Sequence, residues 1–145
     1  METSVKELFE RYERLFNKAL NGEIDTDEIM PIYAPAFIAA SPAGIMTGKN
    51  EEQLKQVMKH GYARYRAIGT KEMRIRDTRV SPIDEHHCVA HVGWVGVYAR
   101  KEQPDLRIDF DVHYLVQQRE EGPKVFGWLS GDEQALLRKH GIGSR

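Results

Sequence analysis

The chain has 145 residues, 41% of them hydrophobic, with 21 Lys and Arg against 22 Asp and Glu and a single Cys. That length suits one domain, 1–145, able to bury roughly two-thirds of its unfolded surface without disulfide staples. The balanced, scattered charge excludes the basic surface that nucleic-acid binding needs, and no apolar run is long enough to span a membrane.

Met1, Glu2 and Thr3 lead straight into a charged helix, without the apolar core of a signal peptide, and the lone Cys88 sits in an apolar run that suits a reduced compartment. A cytoplasmic location is expected. In the first helix Val5, Leu8, Phe9, Tyr12, Leu15, Phe16, Ala19 and Leu20 form one stripe at spacings of three and four. Ser4 with Glu7 reads as its capping box and Asn21-Gly22 as its stop. Asp25 with Glu28 repeats the cap over a short second helix that Pro31 soon ends. A small hairpin follows, Ala36 to Ala40 and Ile45 to Thr47 flanking Ser41-Pro42-Ala43-Gly44.

Asn50 is placed to cap a third helix, whose stripe of Leu54, Val57, Met58, Tyr62 and Tyr65 runs until Gly69. Strands are predicted at Lys71 to Val80, His87 to Arg100, Leu106 to Gln117 and Lys124 to Leu129, with turns at Ser81-Pro82, Gln103-Pro104-Asp105 and Glu121-Gly122-Pro123. Short turns make these strands antiparallel neighbours, and Ser130 with Glu133 caps a last helix that Gly141 closes. The sum is an α+β domain, a curved antiparallel sheet wrapped around its N-terminal helices.

A hairpin near Gln103 gives the even residues of the two long strands one face and the odd residues the other. The even face carries Cys88, Ala90, Val92, Trp94, Gly96 and Tyr98 beside Ile108, Phe110, Val112, Tyr114 and Val116, and is the side expected to meet the helices. The odd face, with His91, Val95, Val97, Asp111 and His113, fits solvent or a second subunit. Matching Met73 and Ile75 to the core also turns Asp77 and Arg79 inward, where a desolvated carboxylate is tuned for proton transfer; the alternative is an Asp77–Arg79 pair at the sheet rim. Lys71, Arg74, Arg76 and Arg79 read as the solvated side of that strand.

Gly44, Gly48 and Lys49 do not make a phosphate loop, since three residues, not four, separate the glycines and Asn50 replaces the Ser or Thr that would hold magnesium. His87 and His91 lie about 13 Å apart along one strand, too far to share an ion. His91 is expected diagonally across from His113, at about 7 to 8 Å. With Asp111 nearby, an interface or solvent outweighs a metal there, so neither metal nor cofactor is called. Tyr12, Phe16, Tyr62, Trp94, Tyr98, Phe110 and Tyr114 are many aromatics for one face of a small sheet. They either fill the core or line a cavity for a mostly apolar ligand, with Tyr12, Phe16, Tyr62, Trp94 and Phe110 as its binding residues.

The order of elements, from Leu8-Phe9-Glu10-Arg11-Tyr12 through Ile108-Asp109-Phe110-Asp111-Val112 to Phe126-Gly127-Trp128-Leu129-Ser130-Gly131-Asp132-Glu133, resembles the nuclear transport factor 2-like superfamily, nearest its polyketide cyclase (SnoaL-like) and ketosteroid isomerase-like branch. The resemblance implies a cystatin-like cone with a pocket between helices and sheet, frequent dimerisation through the outer sheet face, and no obligatory cofactor. In enzymes of this group an inward carboxylate takes a proton beside a carbonyl while tyrosines or protonated acids stabilise the enolate. Geometry here assigns Asp77 as that base and Tyr98 or Tyr114 as the donor. Two functions stay open: a pocket for a small apolar carbonyl compound, with isomerase, cyclase or dehydratase chemistry, and a non-catalytic module that dimerises or binds a protein through the odd face.

Overall fold

The computed structural model describes residues 1–22 and 24–142. Its elements are α1 (Glu2–Leu20), α2 (Thr26–Ile29), a 3-10 turn (Met30–Ile32), β1 (Tyr33–Ser41), β2 (Gly44–Lys49), α3 (Glu52–Ala67), β3 (Thr70–Pro82), β4 (His87–Arg100), β5 (Gln103–Arg119), β6 (Gly122–Ser130) and α4 (Glu133–Lys139). The strands form one six-stranded sheet in the order β2-β1-β6-β5-β4-β3. Every neighbouring pair is antiparallel except β1 with β6, so the first hairpin enters the sheet by parallel pairing with its last strand. Among the described residues no helix is long and apolar enough to cross a membrane.

The β4–β5 register pairs Trp94 with Phe110, Val92 with Val112 and Ala90 with Tyr114, which puts the even residues of both strands on the inner face. They pack against the buried stripe of α1, Val5, Leu8, Phe9, Leu15, Phe16 and Ala19, and against Tyr62 of α3. The α3 stripe is narrower than its spacing predicts, for Val57 is 60% exposed. The β4–β5 turn falls at Lys101-Glu102, because Arg100 pairs with Gln103 and Glu102 takes a φ of 59°. Gln103 to Asp105 therefore belong to the strand, not to a loop. Pro104 is tolerated there because β6 pairs only with Val112 to Arg119, leaving this end of β5 with one neighbour.

Three predicted caps are occupied differently. Helix α1 starts after Met1, and Ser4 donates back to the Met1 carbonyl at 2.9 Å. Glu51 precedes α3, while the Asn50 amide bridges the carbonyls of Met30 and Tyr33 at 2.9 and 3.0 Å, tying the 3-10 turn to the start of α3. Asp132, not Ser130, caps α4. Asp25 caps α2 as its position predicts, accepting from the Asp27 N–H at 3.0 Å.

Strand β3 contains the departure with most consequence for function. Its pairing with β4 shifts between Ile75, opposite Trp94, and Asp77, opposite Gly93, so Arg76 is the extra residue of a β-bulge. One added residue reverses the alternation. Met73 and Ile75 face inward as parity predicts, but beyond the bulge Asp77 and Arg79 share the outer face with Gly93 and His91. Asp77 is exposed and pairs with Arg76 at 3.6 Å, and Arg76 also reaches Asp109 at 3.4 Å and Asp111 at 3.0 Å. Gly93 makes room, since a Cβ there would come within 2.3 Å of an Asp77 oxygen.

The outer edge of β3 is closed by side chains of α1. Asn17 accepts from the Met73 N–H and donates to the Met73 carbonyl, each at 2.8 Å, and Glu13 accepts from the Ile75 N–H. A free strand edge invites pairing with another chain, and this clamp occupies it. Asn17→Ala leaves these backbone groups without their partner and should cost about 2 kcal/mol, read as a lower urea midpoint at unchanged slope. An unchanged midpoint would show that water replaces the clamp at no cost.

Candidate functional site

Between the helices and the concave side of the sheet lies a cavity of about 200 Å³. Its wall takes Tyr12 and Phe16 from α1, Tyr33 from β1, Tyr65 from α3, Met73 from β3, Trp94 from β4, Phe110, Val112 and Tyr114 from β5, Trp128 and Ser130 from β6, and Glu133 from α4. Helical spacing sets Tyr12 and Phe16 one turn apart, and both rings meet the Trp94 indole, Tyr12 edge-on at 5.7 Å and Phe16 at 6.1 Å. Alternation along β5 carries Phe110, Val112 and Tyr114 to the same wall.

Glu133 is the one carboxylate among these lining residues. It is the first residue of α4, and because Asp132 accepts the Ala135 N–H at 2.9 Å, Glu133 is not needed as a cap and turns inward. There the Tyr65 hydroxyl donates to its Oε2 at 2.6 Å. Burial pushes the Glu133 carboxyl above its ordinary pKa and outweighs the opposing pull of the Tyr65 bond. Burial also raises the phenols of Tyr12, Tyr33, Tyr65 and Tyr114, so all four stay protonated at neutral pH. Tyr114 accepts from the Trp94 indole N–H at 3.2 Å, which leaves its own proton free to donate. A carboxyl reluctant to ionise, set among phenols that keep their protons, can move a proton on a bound carbonyl compound while a phenol meets the developing oxyanion. Among the described residues no group of three or more His, Cys, Asp or Glu side chains converges as metal ligands would.

A family model described as NTF2-like protein (DUF6841) matches residues 2–133. The chain belongs to this NTF2-like family. No curated protein sequence matches it. Solved structures similar to the NTF2-like chain include an NTF2-like protein with a cystatin-like fold from Novosphingobium aromaticivorans, 14% identical, with 94% of this chain and 88% of that one covered at a TM-score of 0.68. An NTF2-like protein of unknown function from Shewanella oneidensis is 16% identical over 91% of this chain and 100% of its own, with a TM-score of 0.66. A ketosteroid isomerase-like protein from Erwinia carotovora atroseptica is 12% identical over 89% and 93%, with a TM-score of 0.61. At these identities the likeness establishes the α+β, cystatin-like fold.

Within this NTF2-like fold, Tyr12, Phe16, Trp94, Phe110 and Tyr114 stand in the cavity wall. Tyr62 does not; it is buried behind Phe16, edge-on at 5.0 Å. Tyr98 lies on the inner face, but in a second cluster with Ile108, Leu137 and Ile142, next to α4. Its ring leans over Gly96, where a Cβ would come within 2.6 Å of the phenolic oxygen, and its buried hydroxyl has no hydrogen-bond partner among the described residues. Asp77, placed inward by parity, is on the opposite side of the sheet. The sequence reading missed Glu133 as a site residue, because a Ser130–Glu133 capping box accounted for it. It also took Tyr65 for a core residue, although Tyr65 shares the α3 face of Tyr62 at helical spacing.

Because the native pKa of Glu133 is raised, the folded state holds a proton that the unfolded chain releases near the ordinary glutamate value of about 4.3. This contribution to stability is complete below that value and is lost as pH rises through the native pKa. Within that window the wild type should lose up to about 1.4 kcal/mol per pH unit relative to Glu133→Gln, followed by urea unfolding from pH 4 to 8. Parallel curves for the two proteins would mean that Glu133 is solvated.

Proposed function

We propose that the protein binds a small, uncharged carbonyl compound in the aromatic cavity and moves a proton on it, with Glu133 as acid-base. The observation that carries this reading is a half-buried carboxyl in an aromatic-lined cavity, held by the Tyr65 hydroxyl at 2.6 Å. The ketosteroid isomerase-like neighbour lends it chemical precedent, as does the resemblance to the polyketide cyclase branch. At about 200 Å³ the cavity is smaller than the roughly 300–1,000 Å³ of sites for drug-sized molecules, which favours a guest of one or two rings over a four-ring steroid. The absence of a Lys or Arg among the lining residues favours a neutral guest over an anion.

In the reaction, ionised Glu133 takes a proton from the carbon beside the carbonyl, and the C–H electron pair passes through that carbon to the carbonyl oxygen. Tyr114 donates a hydrogen bond to the enolate so formed. Glu133 then returns the proton at a conjugated carbon, which isomerises the compound, or gives it to a β-hydroxyl that leaves as water with the C–O electron pair while the enolate electrons form the new carbon–carbon double bond, which dehydrates it. Tyr65 holds the carboxyl in place.

The test is a thermal-shift screen against cyclic ketones, lactones and aromatic aldehydes. A ligand at 100 times its Kd adds about 2.7 kcal/mol and moves the midpoint by several degrees. For any compound that is turned over, Glu133→Gln should lower kcat by about 10²- to 10⁴-fold without loss of fold, while Asp77→Asn leaves it unchanged. Equal turnover in Glu133→Gln removes Glu133 from the chemistry.

A second reading is a homodimer through the outer sheet face, which carries His91, Val95, Val97, Asp111 and His113. It is favoured by Ile38, Ile45 and Leu129, exposed at 44%, 77% and 46%, which the strand registers put on that same face. Grouped apolar side chains bordered by charge suit pairing with a second copy. Val95 is only 8% exposed, so a charge there would damage the fold. Leu129→Lys is the cleaner probe and should sediment as a folded monomer where the wild type is a dimer. A Leu129→Lys protein that still dimerises would exclude this patch.

A further inference from the structure

The outer face carries a pair of side chains that neither the cavity nor the proton chemistry uses. The registers align Ile45, Ala40, Leu129, His113, His91 and Arg79 in one row across the sheet. His91 and His113 are thus direct cross-strand partners, not diagonal neighbours, and their Nδ1 atoms are 2.8 Å apart. At that separation one Nδ1 carries a proton and the other presents a lone pair. On its far side His91 places Nε2 3.0 Å from the Ser81 hydroxyl. When Nε2 donates to Ser81, the His91 lone pair is at Nδ1, aimed at His113.

The geometry points to a bis-imidazole site for a late first-row divalent cation, copper(II), nickel(II) or zinc(II), bound through His91 Nδ1 and His113 Nδ1 with water completing the coordination. Two nitrogens on one such ion, each about 2.1 Å from it, stand about 3.0–3.4 Å apart. The two rings need to open by only a few tenths of an ångström from their present contact. The ion replaces the shared proton, which leaves for the exposed Nε2 of His113 or for solvent. Ser81 plays the outer-shell part, fixing the tautomer and aim of His91. Imidazole suits these cations, whereas magnesium and calcium prefer oxygen ligands.

The surroundings set the limits. Leu129 on β6 flanks His113 and is apolar; Asp111, two residues before His113 on β5, lies on the same face but is engaged by Arg76 at 3.0 Å. Arg79 on β3 stands opposite His91. Its guanidinium repels a dication, which limits the affinity. With no third protein ligand among the described residues, the affinity belongs to a two-nitrogen site that acid competes away.

The experiment is calorimetric titration of the untagged full chain with nickel chloride, zinc chloride and copper chloride, at pH 7.5 and pH 5.5. At pH 7.5 one ion should bind per chain, with affinity falling at least tenfold in His91→Ala and in His113→Gln, by about 10- to 100-fold or less in Ser81→Ala, and at least tenfold for wild type at pH 5.5. His87→Ala is the control that should bind normally, because both His87 nitrogens are already engaged, by Asp84 at 2.8 Å and Gln117 at 3.1 Å. Circular dichroism confirms that each variant is folded, and exposed His113 is the safer of the two histidines to replace. Wild-type affinity in His113→Gln, loss of binding in His87→Ala, or no binding to the wild type would each overturn the site.

Discussion

The pairing of β4 with β5 determines which side of the sheet every functional group meets. Arg100 meets Gln103 across the Lys101-Glu102 turn, the register shifts before Tyr98 meets Leu106, and from there even residues stand opposite even residues; a slip by one would send Trp94, Phe110 and Tyr114 to the outside. Such a slip is costly because Trp94 and Tyr98, two of the largest fully buried side chains, both belong to the inner set. Burying a large apolar side chain is worth about 1.5–3 kcal/mol, and several would be lost together. The same alternation sends His91, His113, Asp109 and Asp111 outward. Cavity and histidine pair are therefore two products of one register.

The cavity is built against the ordinary preference of its one acid. A carboxyl surrounded by Tyr12, Phe16, Trp94 and Phe110 loses hydration that a single bond from Tyr65 only partly restores, and the raised pKa of Glu133 expresses that deficit. Stability is given up to hold a carboxyl whose pKa is raised by burial. The position in the fold permits it. Glu133 sits at the start of a short helix whose cap is supplied by its neighbour Asp132, so its side chain has no structural task to leave. The opposite arrangement holds at β3, where Glu13 and Asn17 are fully occupied with backbone groups of the strand edge.

The elements and their faces were legible because periodicity carries over many residues. The α1 stripe, the even face of β4 and β5, and glycine at the helix ends, with Gly22 and Gly69 at positive φ, all follow from spacing and backbone preference. What was not legible depended on single residues. A bulge adds one position to a strand without a mark in the hydrophobic pattern, and at Arg76 it was enough to move Asp77 and Arg79 to the other side. Ser130 and Asp132, two residues apart, are both side chains that cap helices, and the sequence pattern favours Ser130 because Glu133 completes its box, whereas in the structure Asp132 caps α4 and Glu133 meets Tyr65. Aromatics assigned to the inner face could not be divided between wall and core either. That division comes from local contacts, with Tyr62 packed edge-on behind Phe16 and Tyr98 folded over Gly96.

The bulge at Arg76 acts on both faces of the sheet. By bending β3 it helps curve the sheet around the helices, and by breaking parity it takes Asp77 away from the concave side. Asp77 then joins Arg76, Asp109 and Asp111 in a solvent-exposed ion-pair cluster over Gly93. Had β3 continued without the extra residue, two acids would have faced the aromatic interior, and each would have raised the cost of ionising the other. With Asp77 outside, Glu133 meets the cavity as its lone acid, and its protonation is governed by burial and the Tyr65 bond rather than by a second carboxylate. A shape device in an edge strand thereby sets the chemistry of a group on a different element.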